Sequence, residues 1–216
     1  MITVTNLSKR FGDHTVWSNL NTNFDKGQLH AITGPSGSGK TTLLNCIGLL
    51  EKPTSGSIDL DGRSLVGISS GACQRYRRTR LGYLFQNYAL VENATVSFNL
   101  RIALGPGRLT KAKKAAQASA LDTVGLSGYE RRPIYELSGG EQQRVALARL
   151  IVKQSDIIMA DEPTGALDDA NSSMVIDTLR TMADQGATIL IATHDHTVID
   201  ACDTTLNVNH PVTGSV

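Results

Sequence analysis

The residues Gly34-Pro35-Ser36-Gly37-Ser38-Gly39-Lys40-Thr41 follow the spacing G-x-x-x-x-G-K-[ST] without a mismatch. Three glycines let the backbone turn its N–H groups inward around a phosphate chain, Lys40 brings a positive charge to the terminal phosphates, and Thr41 offers a hydroxyl to Mg²⁺. Thr42 continues the helix start on which the anion would rest. The chemistry implied is the binding of a nucleoside triphosphate. A second group of residues lies far along the chain. The apolar run Asp156-Ile157-Ile158-Met159-Ala160 ends in two acids, Asp161 and Glu162, and acids at the end of a buried strand want a cation. Asp161 joins Thr41 on the metal side. Glu162 is the residue expected to orient and polarise an attacking water, because phosphoryl transfer needs mainly positioning and charge neutralisation.

Two more polar residues end apolar strands. Gln86 follows the strand candidate Leu81 to Phe85, and His194 follows Ala187 to Thr193. Each is a candidate contact for that water or the γ-phosphate; read alone, such residues are structural more often than not. Leu137-Ser138-Gly139-Gly140-Glu141 opens a long helix through Lys153, with Ser138 as N-cap and Glu141 completing a capping box. Two glycines in a first turn cost on the order of 1 kcal/mol each against alanine. What offsets them is the close approach of another molecule to bare N–H groups, so a second phosphate-binding surface is implied.

The elements that must position these residues follow from the pattern between them. Ile2, Val4 and Leu7, then Thr22 to Phe24, then Ser57 to Leu60 read as an antiparallel β part. Gln28 to Thr33 is the buried strand entering the phosphate loop, and Thr41 to Leu50 the apolar helix leaving it. From about Val91 to Lys153 helical patterns take over, notably Thr110 to Val124, which stops at Gly125. Asn171 to Met182 is a helix, and Thr204 to Val208 a last strand. Arg75, Arg77, Arg78 and Arg80 crowd six positions as a lipid-facing, partner-facing or merely solvated face, and receive no role.

With 216 residues, 21 Lys plus Arg against 20 Asp plus Glu, and three widely spaced cysteines, the chain is sized for one domain with a subdomain. It has no bulk charge for nucleic acid and no disulfide or zinc pattern. No apolar run approaches a membrane span, and Met1 to Phe11 lacks signal-peptide character, so a soluble cytosolic chain is expected.

In order and spelling these motifs resemble the nucleotide-binding domain of ATP-binding cassette (ABC) transporters along essentially the whole chain. Gly34 to Thr41 matches the phosphate loop, Gln86 the glutamine loop, Leu137 to Arg144 (LSGGEQQR) the family signature, and Ile157 to Glu162 the acidic strand with its glutamate. Ala166-Leu167-Asp168 matches the loop that follows and His194 the switch histidine, while Phe11 falls where the family places an adenine-stacking aromatic. The resemblance implies an α/β P-loop NTPase fold with a RecA-like mixed sheet core, an antiparallel β subdomain and an inserted α-helical subdomain. One ABC ATPase domain is implied over 1–216, its core at 1–90 and 155–216 and its helical subdomain at about 91–154. ATP and Mg²⁺ are the implied cofactors, with Glu162, His194, Gln86 and Lys40 catalytic and Thr41, Gln86 and Asp161 on the metal. Phe11, the phosphate loop through Thr42, Ser138, Gly139, Gly140, Glu141 and Asp168 are implied to bind nucleotide.

The resemblance further implies that two copies meet head to tail, each ATP lying between one copy's phosphate loop and the other's Ser138-Gly139-Gly140. A homodimer is the simplest stoichiometry. The partner so powered is a transmembrane permease, through which this chain would sit peripherally on the inner face of the cell membrane. The docking surface is expected around Asn87 to Asn99 and the helical subdomain, where Tyr88, Leu90, Val91 and Phe98 supply an apolar set. Phe85 to Leu90, Tyr135-Glu136 and Ala160 to Asp168 look like the branch of macrolide exporters, lipoprotein-release systems and bacteriocin or antimicrobial-peptide exporters. Arg101 to Leu109 matches no subgroup pattern. A DNA-acting clamp is disfavoured because only 50 residues separate Gln86 from Leu137, too few for coiled-coil arms, and a GTPase because no N-K-x-D motif occurs. A soluble ABC-type ATPase of a cytosolic assembly system, of the iron–sulfur cluster type, shares every catalytic motif and stays open.

Overall fold

The computed structural model describes residues 1–85, 87–165 and 167–208. The chain opens with β1 (Ile2–Phe11) and β2 (His14–Phe24), an antiparallel pair far longer than the fragments visible in the sequence. The cause is an irregularity. Ile2 and Val4 point inward on even numbers, Leu7 and Lys9 on odd ones, because the register shifts between Val4 and Leu7 and Asn6 takes φ 48°. A bulge of this kind breaks the period-2 signal while keeping one face buried. β3 (Leu29–Thr33) leads into α1 (Lys40–Ile47), after which β4 (Ser55–Leu60) and β5 (Arg63–Ser64) rejoin the antiparallel sheet in the order β2-β1-β4-β5.

The arginine cluster lies on α2 (Ser70–Thr79), and half of it is structural. Arg77 Nη1 donates to the Leu49 carbonyl at 2.7 Å, and Arg80 pairs with Asp61 and Asp156. β6 (Leu81–Leu84) follows, then α3 (Val96–Ala103) and α4 (Lys111–Thr123), capped by Thr95 and Thr110. A single 3-10 turn, Ile134–Glu136, precedes α5 (Gly139–Lys153); β7 (Ile157–Asp161), α6 (Asp169–Asp184), β8 (Thr188–Ala192), α7 (His196–Asp200) and β9 (Thr204–Asn207) complete the described chain.

Among the described residues the core sheet, β6-β7-β8-β3-β9, is parallel in every pair, and this corrects the expected mixed sheet. In the antiparallel sheet tight turns join β1 to β2 and β4 to β5; of the core strands, β3 follows β2 directly over residues 25–28, and the other four are each entered from a helix. Alternation splits the core strands between two apolar clusters. Ile158, Ala160, Ile189 and Ile191 face α3 to α6, and Ile157, Met159, Leu190 and Ala192 face α1 and the antiparallel sheet. Each such fully buried Ile or Leu stabilises the fold by about 1.5–3 kcal/mol. α5 packs against α3 and α4 and also against β6 and α6, so one core runs from the helical segment to the sheet. Cys46 lies on the buried face of α1, where desolvation pushes its thiol up to about 12. No described helix is long and apolar enough to cross a membrane.

Candidate nucleotide site

All five core strands run the same way, so their C-terminal ends share one edge of the sheet, the usual ligand edge of such folds. β3 delivers the phosphate loop there, β7 delivers Asp161 and Glu162, and β8 delivers Thr193 and His194. They border a cleft of about 740 Å³ lined by Phe11, His14, Val16, the loop residues Gly34 to Gly37 and Gly39 to Thr42, Asp161, Glu162 and His194.

The loop's glycines are dictated by the fold. Gly34 has φ +148°, and a Cβ there would lie 2.4 Å from the Val208 carbonyl oxygen; at Gly39, with φ +94°, it would lie 2.3 Å from Val16. Gly39 caps α1 without any side-chain cap, so the first-turn N–H groups of α1 are left to an anion. Ser38 is fully buried, its Oγ unpartnered among the described residues, against the loop rather than in the cleft. Lys40 Nζ donates to the carbonyls of Gly34 (2.9 Å) and Pro35 (3.2 Å), holding the loop curled.

Thr41 Oγ1 donates to Asp161 Oδ1 at 3.1 Å. Burial raises the Asp161 carboxyl above its ordinary range, the Thr41 hydrogen bond opposes this, Glu162 adds to the rise and Lys40 offsets it. A hydroxyl and a carboxylate oxygen side by side fit Mg²⁺, which takes few protein oxygens and fills its remaining positions with water and phosphate. Beside them Glu162 holds φ 47°, a left-handed conformation uncommon for a residue with a side chain. Its two carboxylate oxygens are both engaged: Oε1 with His194 Nδ1 at 2.8 Å, Oε2 with the Thr193 hydroxyl at 3.3 Å. An ionised carboxylate only accepts, so His194 Nδ1 carries the hydrogen in that arrangement.

Phe11 is 51% exposed at the end of β1, one of the few large apolar side chains so placed. Gln86 lies outside the described residues. The signature residues stand apart: Ser138, Gly139, Gly140 and Glu141 do not line the cleft. The capping box is formed, with the Ser138 N–H donating to Glu141 Oε2 at 2.8 Å and the Glu141 N–H to Ser138 Oγ at 3.3 Å. Neither glycine is required by its own chain. Both have ordinary negative φ, and a Cβ would make no contact closer than 3.9 Å at Gly139, to the Tyr88 hydroxyl, or 3.5 Å at Gly140, to Asn171, with Arg144 Nη1 at 3.9 Å. Asp168 likewise lies off the cleft; it caps α6, accepting from the Asn171 N–H at 2.8 Å. Asn171 in turn accepts from Arg144 of the signature helix at 2.6 Å.

Thr193 and Asn171 are site residues that sequence reasoning passed over. Thr193 was within reach, since it ends the apolar strand directly before His194. Asn171 was not, because only the fold sets α6 beside α5.

A sequence model of the ABC transporter family matches residues 17–165. The macrolide export ATP-binding/permease protein MacB of Mannheimia succiniciproducens is 35% identical over 231 aligned positions, taking in 100% of this chain and 36% of its own length. MacB of Salmonella typhimurium is 42% identical over 170 positions, 78% of this chain and 26% of that one. The chain thus spans about a third of the length of the curated relatives it matches. Among solved structures, the dimeric MJ0796, a bacterial ABC transporter cassette, superposes with a TM-score of 0.87 at 30% identity over 97% of this chain and 94% of that one. A post-hydrolysis MJ0796 dimer bound to ADP and Pi superposes with a TM-score of 0.87 at 29% identity, covering 98% and 97%.

Proposed function

The chain belongs to the ABC transporter family, and from that premise we propose that it hydrolyses ATP in a head-to-tail pair of copies and passes the closure of that pair to a membrane permease, most simply that of an exporter. It is an ABC ATPase with the cassette fold. In the proposed cycle the triphosphate settles on the first turn of α1, and Lys40 exchanges the carbonyls of Gly34 and Pro35 for phosphate oxygens, a gain in charge-assisted bonding. Thr41 and Asp161 are the residues that would hold Mg²⁺, which when bound neutralises charge on the phosphate oxygens. Glu162 takes the hydrogen bond of the attacking water and draws its proton as the water oxygen bonds to the γ-phosphorus. The bond to the β–γ bridging oxygen breaks, leaving ADP and phosphate. His194 and Thr193 fix the direction of that carboxylate by holding both of its oxygens. Phe11 stacks on the adenine, and Gln86 is assigned to the metal and the water.

The observation that carries the paired arrangement is the pair of glycines at 139 and 140. Their own chain asks for neither, by conformation or by packing, and they lie outside the cleft that holds the rest of the machinery. A second copy's γ-phosphate, approaching the N-terminus of α5, supplies the missing reason. The two superposed structures are both dimers, in agreement with a pair. In the test, a Gly139→Asp chain and a Lys40→Ala chain are each inactive alone. Mixed in equal amounts they recover an ATPase of up to about an eighth to a quarter of the parent rate, because half of randomly formed dimers hold one sound site. Mixed dimers without recovery would refute the head-to-tail pair.

The permease reading rests on relatives that are ATP-binding/permease proteins and on a groove of about 600 Å³ between the sheet core and the helical segment. It is lined by Phe85, Ile102, Pro106 and four cations, Arg77, Arg78, Arg149 and Lys153, with no acid among its described lining. Pull-down with the adjacent membrane protein tests it; recovery of soluble partners alone favours the assembly-type ATPase.

A further inference from the structure

We propose that Lys9 is a positioning residue for nucleotide, bracing the back of the Phe11 ring so that its open face meets the base; this rests on the reading that Phe11 stacks on adenine. Lys9 is an unusual residue to find inward. Its side chain is 7% exposed, and the bulge in β1 that turns Leu7 to the core turns Lys9 with it. An ammonium out of water needs partners on every side. Nζ donates to Glu51 Oε1 and to the Lys52 carbonyl, each at 2.7 Å, and its remaining direction is taken by the Phe11 ring, 4.4 Å from Nζ to the centroid.

Two consequences follow from where those partners lie. Glu51 and Lys52 come just after α1, the helix that begins at the phosphate loop, while Phe11 ends β1 in the other sheet. Lys9 therefore ties the platform for the base to the turn that follows α1. A cation on one face of an aromatic ring is also attracted to its π density. It holds the ring against rotation, so that a base arriving on the cleft side meets a surface already oriented, without the entropy loss of ordering it.

The test separates the base from the phosphates. Binding of a non-hydrolysable β–γ-imido ATP analogue and of tripolyphosphate is measured by calorimetry for the parent and for Phe11→Ala, Lys9→Met and Lys9→Arg. Lys9→Met keeps the buried stem and removes the charge; it is expected to weaken the analogue by about three- to ten-fold, the range of a partly desolvated cation–π contact, and to leave tripolyphosphate unchanged. Lys9→Arg restores most of the loss. In the Phe11→Ala background, Lys9→Met adds nothing further, because the two act on one contact. Unchanged tripolyphosphate binding also certifies that the variant is folded. If Phe11→Ala leaves the analogue's affinity intact, the stacking reading falls and the brace with it. If Phe11→Ala weakens the analogue but Lys9→Met does not, the brace alone is overturned. Equal weakening of tripolyphosphate by Lys9→Met overturns it too, by making Lys9 a support of the loop.

Discussion

Glu162 and its neighbour Asp161 share a strand end, and in the proposed cycle they divide the work of the site between them, so each is expected to give a different result when removed. Glu162→Gln keeps the shape and the contacts to His194 and Thr193 but removes the negative charge that draws the proton. ATP hydrolysis is expected to fall by about a hundred-fold or more, a hundred-fold being the lower end of what general-base catalysis contributes, while ATP binding persists. The variant should then accumulate as a closed dimer on size-exclusion chromatography with ATP and Mg²⁺; hydrolysis at the parent rate would reject the assignment. Asp161 is held in a setting that disfavours its charge, since burial raises its carboxyl and Glu162 raises it further. The folded chain therefore binds this proton more tightly than the unfolded one, and the Asp161 contribution to stability is lost as pH rises from the ordinary carboxylate range through the raised value. Above that window, Asp161→Asn should melt at a higher temperature than the parent when nucleotide is absent, and should lose the extra stabilisation that Mg²⁺ gives with ATP. A lower melting temperature without nucleotide would show that the carboxylate stabilises the empty site.

α5 is the element with the most to coordinate. At about 1.5 Å per residue its 15 residues span roughly 22 Å, from the capping box at Ser138 and Glu141 to the far edge of the parallel sheet. The Arg144–Asn171–Asp168 contacts bind its first turns to α6 and to the loop after Glu162. α3 presents the outward face expected to meet a partner. Of the four apolar residues picked out beforehand, Tyr88 and Leu90 pack partly buried on the core, whereas Val91 is 45% and Phe98 38% exposed; Ile102, one turn beyond Phe98 and 54% exposed, belongs with them. Phe98 lies beneath the Arg101 guanidinium, 5.2 Å from its ring centroid. Phe98→Glu should leave the basal ATPase of the isolated chain within about two-fold of the parent, as exposed substitutions are usually mild, and abolish co-purification with the permease. Retained capture of the membrane protein by Phe98→Glu would move the docking surface elsewhere.

At the scale of the molecule, the parts legible in the sequence are those whose physics is local. The loop at 34–41 needs glycines at fixed spacing, the β7 and β8 strands are uninterrupted apolar runs, and the capping box is written in four residues. What was hidden depended on distance or on irregularity. β2 was visible only at its last three residues because bulges scramble its alternation, and Lys9 reads as a surface residue until the shift in β1 is known. The parallel character of the core sheet could not be read from strands taken singly, since the same apolar run serves a parallel or a mixed sheet. Exposure in the segment leading to α3 was likewise undecidable, because Leu90 and Val91 are neighbouring apolar residues and only the side on which the core lies separates them. The cleft and the signature face are separate surfaces of one polypeptide, and in the proposed head-to-tail pair one copy's cleft and its own signature face never serve the same nucleotide. A cell that makes a damaged copy and a sound copy in equal amounts would assemble only about a quarter of its pairs from sound copies alone. Under the proposed pairing, a damaged copy that still folds and pairs would therefore behave as a partly dominant trait.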